Sequence, residues 1–141
     1  MLRGSCLCGG IQFEIEGRVS PIAQCHCSLC RKASGGAGNA SLLTAARSLR
    51  WLRGQELVRS WRKPSGGGTE FCSVCGSPVP RIHPNGKIMG VPAGLLDDDP
   101  GVPVGQHIFV GSKASWDQIG GSAPQYDAWS PEMEPSTRRS S

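Results

Sequence analysis

At 141 residues the chain has the length of one domain, and its fifteen Lys and Arg against eleven Asp and Glu, net +4, are spread along it instead of gathered in a stripe. That mild, spread excess supports small anionic ligands about as well as DNA, and no nucleic-acid partner is expected. No apolar run approaches the ~20 residues of a membrane span or forms an N-terminal signal core, so no membrane association is expected and a soluble, cytoplasmic protein is.

An apolar share of 38% with 20 Gly and 11 Pro suits short strands and turns. The first strand signal is IQFEIE, which places Ile11, Phe13 and Ile15 on a buried face and Gln12, Glu14 and Glu16 on the other. A second strand runs through SPIAQCH, and SLCRKAS reads as a short helical turn capped by Ser28 and stopped at Gly35-Gly36. GNASLLTA, LRWLRG and ELVRSWRK read as further strands, KPSGGGTE as a loop or hairpin end, and PVPRIHP, KIMGVPAG and QHIFVGS as the later strands, with LDDDPGVPVG a turn-rich loop between the last two. No segment holds a helical period over eleven residues, so the fold class is mainly β, a single domain of short strands over 1–129. From Ser130 the composition SPEMEPSTRRSS has little to bury, and residues 130–141 are expected to form a flexible tail.

Seven cysteines in a reducing compartment point to metal or reactive thiols instead of disulfides. They fall into three groups, Cys6/Cys8, Cys25/Cys27/Cys30 and Cys72/Cys75. A structural zinc takes four protein ligands, whereas a catalytic zinc keeps three and one exchangeable position. Cys8 and Cys75 are each followed by glycine, which lets the chain turn its N–H groups toward sulfur. The two pairs therefore make a closed site, Cys6, Cys8, Cys72 and Cys75, and the triplet Cys25, Cys27 and Cys30 makes a second, open one. His26 points the other way from its neighbours in extended chain; His83 and His107 are candidates for a fourth ligand, against the plainer reading of buried or surface histidines. An iron–sulfur cluster is disfavoured by the C-x-C-x-x-C spacing. Packing as plain thiols is disfavoured by Arg31 and Lys32 beside the triplet.

GSCLCGGIQFEI, CHCSLCRKASG, EFCSVCGSPV and HIFVGSKASWDQI resemble, in order, the motifs of the glutathione-dependent formaldehyde-activating enzyme family, whose domain is shared with centromere protein V. The resemblance implies a β-tent fold holding two zinc ions, the first on Cys6, Cys8, Cys72 and Cys75 and the second on Cys25, Cys27 and Cys30. It also implies a carbon–sulfur lyase activity, the reversible joining of glutathione to formaldehyde, with glutathione as co-substrate and an aldehyde as partner. A non-catalytic zinc module that binds glutathione or another thiol is the alternative. A chromatin module like centromere protein V would need a basic extension, and the tail offers only Arg138 and Arg139. For glutathione's carboxylates Arg31, Lys32 and the N–H groups around Ser34, Gly35 and Gly36 are candidates, with solvated surface charge the bland reading. Trp51 and Trp61 read as core aromatics before pocket walls, Trp116 as a residue that closes the fold, and Asp97, Asp98 and Asp99 as a solvated turn before a calcium set.

Overall fold

The computed structural model describes residues 1–134. Its strands are β1 (Leu2–Ser5), β2 (Gln12–Ile15), β3 (Ile22–Cys25), β4 (Asn39–Ala45), β5 (Leu49–Arg53), β6 (Val58–Arg62), β7 (Gly68–Cys72), β8 (Arg81–Ile82), β9 (Ile88–Pro92) and β10 (Val104–Ile108), with one α-helix, α1 (Ser28–Ser34). The protein is mainly β, as its composition requires. No helix among the described residues is long and apolar enough to cross a membrane. By internal packing the chain divides into two units: Met1–Ile22 with Ser41–Pro103, and Ala23–Ala40 with the segment from Val104 on.

In the first unit β2 pairs antiparallel with β1 on one side, Gly4 opposite Phe13, and with β5 on the other, Phe13 opposite Trp51 and Ile15 opposite Leu49. Ile11, Phe13 and Ile15 are all buried, as the alternation predicts. β1 carries no such alternation, and the reason is steric: a Cβ on Gly4 would stand 2.3 Å from Phe13 Cζ, so the strand offers a flat bed for the ring. The polar face of β2 departs from expectation at Glu14. It is buried, and its carboxylate accepts from the Arg50 guanidinium across the β2–β5 pair. Burying a carboxylate is tolerable only with such a partner.

β4 pairs antiparallel with β9, from Ser41 opposite Pro92 to Ala45 opposite Ile88, and β8 flanks β9 on its other edge. Phe13, Ile15, Leu42, Leu49, Met89 and Val91 form the main core. β6 and β7 make a hairpin from Val58 opposite Cys72 to Arg62 opposite Gly68. The SGGG turn is its tip, but strand pairing reaches further into the KPSGGGTE segment than the expected loop. Asp97 and Asp98 accept from the Ser5 hydroxyl and the Arg3 N–H, which ties this loop to β1.

In the second unit β3 lies beside β10, and the His26 N–H reaches the Ile108 carbonyl at 3.0 Å. β10 begins at Val104, two residues before the expected strand, and stops at Ile108 because Phe109 takes a left-handed conformation (φ 55°) with its ring edge-on to Trp129. Trp116, expected to close the fold, is exposed. Ser130 is buried, and its carbonyl accepts from the Met133 and Glu134 N–H groups; residues 135–141 of the expected tail lie outside the described residues.

Candidate metal centres

Two tight turns build the first cluster. Cys6 directly follows β1, and the chain reverses through Gly9 (φ 75°) so that the Cys6 N–H meets the Ile11 carbonyl at 3.1 Å. The Ile11 N–H then points at Cys6 Sγ at 3.3 Å and the Gly10 N–H at Cys8 Sγ at 3.4 Å. Cys72 ends β7 and begins a similar turn closed at Gly76 (φ 78°), whose N–H meets the Cys72 carbonyl at 2.8 Å. The Ser77 hydroxyl joins the two turns, accepting from the Leu7 N–H at 2.9 Å while lying 3.4 Å from Cys75 Sγ. Leu7 and Val74, at the turn tips, are exposed, while Cys6 and Cys72 pack with Ile11 and Val79 into a second, smaller core.

The four sulfurs lie within 4.8 Å of one another. Cys6 Sγ is 3.6 Å from Cys8 Sγ, and Cys8 Sγ is 3.9 Å from Cys72 Sγ. A disulfide needs about 2.05 Å. Four thiolates around one zinc at about 2.3 Å stand roughly 3.8 Å apart, so the donor set and its spacing fit that ion.

The second cluster is local. Cys25 ends β3, and Cys27 is the N-cap of α1, its Sγ accepting from the Cys30 N–H at 3.3 Å. Ser28, expected as the cap, is instead the first helical residue, because the sulfur takes the orphan N–H. The helix ends at Gly35 (φ 73°), whose N–H returns to the Arg31 carbonyl. Cys25, Cys27 and Cys30 converge within the same 4.8 Å, all half-buried, and among the described residues the group closes at three.

Within each cluster the thiols are moved in opposite directions. The contact between Cys75 Sγ and the Ser77 hydroxyl, and then the Ser77 N–H, holds Cys75 down to about 5. Cys8 gains from the Gly10 N–H but is pushed up to about 11 by Cys6 and the remaining thiols. In the triplet, Cys30 holds Cys25 down to about 6, and Cys25 in turn moves Cys30 upward.

The other candidates fall elsewhere. His83 sits in an exposed turn, where its Nδ1 accepts from the Asn85 N–H. His107 is buried but joins His26, at 2.9 Å between ring nitrogens, and neither belongs to a thiol cluster. Arg31 donates to the His26 and Ser112 carbonyls, so its guanidinium braces the backbone of this unit. The Gly36 N–H is taken by the Ser34 hydroxyl, which leaves Lys32 as the exposed cation next to the triplet. Trp51 stacks edge-on to Phe13 in the core, whereas Trp61 is exposed on β6. The bracing Arg31 and the His26–His107 pair were not legible from spacing, since their partners lie 81 positions away.

Fold and clusters together define a small, mainly β protein with one four-thiol and one three-thiol group of metal-holding geometry. The family model described as glutathione-dependent formaldehyde-activating enzyme matches residues 1–112, and the chain belongs to that family. A curated Halomonas elongata relative named "Putative glutathione-dependent formaldehyde-activating enzyme" is 31% identical over 127 residues, 84% of this chain and 81% of that one. Among solved structures, a crystal structure of a Rhodobacter sphaeroides protein matches with a TM-score of 0.57 at 20% identity, covering 87% of this chain and 98% of that one, a likeness of fold.

Proposed function

We propose that the protein is a zinc-dependent carbon–sulfur lyase that makes and breaks a thiol–aldehyde adduct, S-hydroxymethylglutathione or a close relative. The observation that carries this reading is the half-buried triplet Cys25, Cys27 and Cys30, one donor short of the four that zinc takes in a closed site. Cys6, Cys8, Cys72 and Cys75 would hold a structural zinc, and the triplet a second one. Bound at the triplet, zinc would supply Lewis acidity and ionise an incoming thiol. In the forward direction the thiolate sulfur attacks the aldehyde carbon, the carbonyl electron pair moves to oxygen, and that oxygen takes up a proton equivalent to the one the thiol gave up. The reverse step restores the thiol and the aldehyde.

The chain's own residues bind and orient. α1 carries Cys27 at its cap and Cys30 in its first turn, Arg31 fixes the helix against the Ser112 carbonyl, and Lys32 is free to meet a glutathione carboxylate. All seven cysteines are free thiols, in keeping with a cytoplasmic setting.

A second reading rests on charge. Three thiolates already outweigh a divalent ion and damp its acidity, which favours a module that binds a thiol without turning it over. Exchange between glutathione plus formaldehyde and the adduct, followed by NMR with and without the zinc-loaded protein, separates the two. Acceleration above background supports the enzyme. Glutathione binding with no acceleration moves the assignment to the binding module.

A further inference from the structure

Cys25, Cys27 and Cys30 form a donor set unlike the four-thiol cluster: three soft sulfurs, all half-buried, with no fourth protein ligand among the described residues. The set is presented by backbone that needs no metal to hold it. The His26 N–H bonds the Ile108 carbonyl at 3.0 Å, the Arg31 N–H bonds the Cys27 carbonyl at 3.0 Å, and the Cys30 N–H meets Cys27 Sγ at 3.3 Å. Behind Cys25 the chain passes at Gly38, where a Cβ would stand 2.4 Å from the Cys25 carbonyl oxygen, so bare backbone is what fits against the end of β3.

The surroundings supply nothing that completes four ligands. The His26 ring is turned to His107, with 2.9 Å between ring nitrogens, His83 sits in an exposed turn, and no carboxylate joins the group among the described residues. Nor do they supply much charge. Arg31 donates to the His26 and Ser112 carbonyls, and Lys32 is exposed. Three thiolates around a divalent ion leave one net negative charge, which is costly in a half-buried place. A trivalent centre on the same three sulfurs is neutral. Soft thiolates select soft centres, and a trivalent metalloid, whose lone pair fills its fourth direction, makes three bonds in a pyramid and asks for no further donor.

We propose that the triplet is a binding site for trivalent arsenic, taken up as arsenous acid. Each sulfur replaces one hydroxide: three As–O bonds break, three As–S bonds form, and the three thiol protons leave with the hydroxides as three waters. Arsenic stays trivalent and no electrons move. Where zinc already occupies the triplet, three protons from solvent complete the waters and one zinc ion is released per arsenic bound. The four-thiol cluster competes poorly, because a pyramidal centre uses three of its sulfurs and orphans the fourth, and a closed zinc there has no vacant position for an incoming group. The inhibition that follows from filling the triplet rests on the lyase reading; arsenic binding itself does not.

The test treats the zinc-loaded full chain with sodium arsenite at neutral pH in a phosphine-reduced buffer free of thiols, then counts arsenic and zinc per chain by mass spectrometry after desalting. One arsenic bound and no more than one zinc released is the expected result. Arsenic K-edge absorption of the same sample should show three sulfur neighbours. Cys25→Ser, Cys27→Ser and Cys30→Ser should each weaken binding at least about tenfold, the loss that even an outer-shell partner brings to a metal site. No retained arsenic, release of both zinc ions, arsenic on two sulfurs, or unchanged affinity in the three variants would overturn the proposal. Should the variants fail to fold, the count and the absorption spectrum of the unmodified protein decide alone. A protein that accelerates adduct exchange yet retains no arsenic refutes this site and keeps the lyase, whereas one that retains arsenic on three sulfurs and accelerates nothing keeps this site and refutes the lyase.

Discussion

Replacing Cys8 by serine isolates what the four-thiol cluster contributes to stability, because Cys8 is exposed and its loss removes no core packing. Its sulfur lies 3.9 Å from that of Cys72, 64 positions along the chain. A clip that closes a loop of that length removes about 4 kcal/mol of freedom from the unfolded chain, by the relation used for disulfides. The triplet spans only the five positions from Cys25 to Cys30, where the same relation yields about 2 kcal/mol. Metal binding adds to the first figure. Against a stability of about 5 to 15 kcal/mol for a typical domain, loss of the long clip would remove a large share, and Cys8→Ser, which leaves Cys6, Cys72 and Cys75 as a weaker three-thiol grip, removes part of it.

Cys27→Ser is the matched control. Serine is a good N-cap, so its hydroxyl can take over the Cys30 N–H that the sulfur now accepts, and α1 keeps its start. We expect Cys8→Ser to lower the urea midpoint steeply, read by tryptophan fluorescence, and Cys27→Ser to hold the midpoint within about 1 kcal/mol of the parent protein while bound zinc falls from two ions to one. Equal destabilisation by both substitutions, or full zinc content in Cys27→Ser, would refute the division of labour.

Three further outcomes follow from single contacts. Gly54 has φ 79° and its Cβ would stand 2.0 Å from the Gly10 carbonyl oxygen, so Gly54→Ala should cost at least about 1 to 3 kcal/mol in urea denaturation. Gly94, with nothing near its would-be Cβ, should tolerate alanine. Arg50→Ala strands the buried Glu14 carboxylate and should cost about 1 to 3 kcal/mol, with Glu14→Gln in the same background restoring part of the loss; a neutral Arg50→Ala would show that water serves the carboxylate equally well. The His107 pKa is lowered in the folded state, by burial first and by His26 second, with Asp117 opposing. The unfolded chain therefore takes up this proton at higher pH than the folded one. The stability contribution is complete above about pH 6.5 and is lost as pH falls toward the lower folded value. Comparing urea midpoints of the protein and His107→Gln between neutral and mildly acid pH should show a gap that narrows on acidification, and a gap independent of pH would remove His107 as its cause.

The legible features were those whose cause is local. Alternation at Ile11, Phe13 and Ile15 reports a half-buried strand directly, and the cysteine spacings report their own turns. β1 was not legible because its packing residue is Gly4, whose contribution is the absence of a side chain beneath Phe13. Glu14 reads as a solvent-facing residue until Arg50, 36 positions on, is brought across from it. The sequence points to Ser28 as the cap of α1 because hydroxyls outrank thiols as caps in general, whereas the thiol of Cys27 stands one residue earlier in the right extended conformation. The meeting of His26 with His107 and with nearby Asp117 carries no spacing signal, since these segments come together only in the folded unit.

The placement of the two cysteine groups along the chain bears on the proposed chemistry. A metal site that exchanges ligands passes through states in which its grip is incomplete, and the fold must survive them. Cys25, Cys27 and Cys30 satisfy that condition, because they close almost no chain and sit where β3 and the capped α1 are already held by backbone hydrogen bonds. Cys6 and Cys8 are separated from Cys72 and Cys75 by most of the first unit, and Cys72 is fully buried, so a metal held there would clip the end of β1 to the end of β7. On the proposed reading stability and exchange would fall to different sites, and the reason would be the distance between ligands in sequence more than any difference in the ligands themselves.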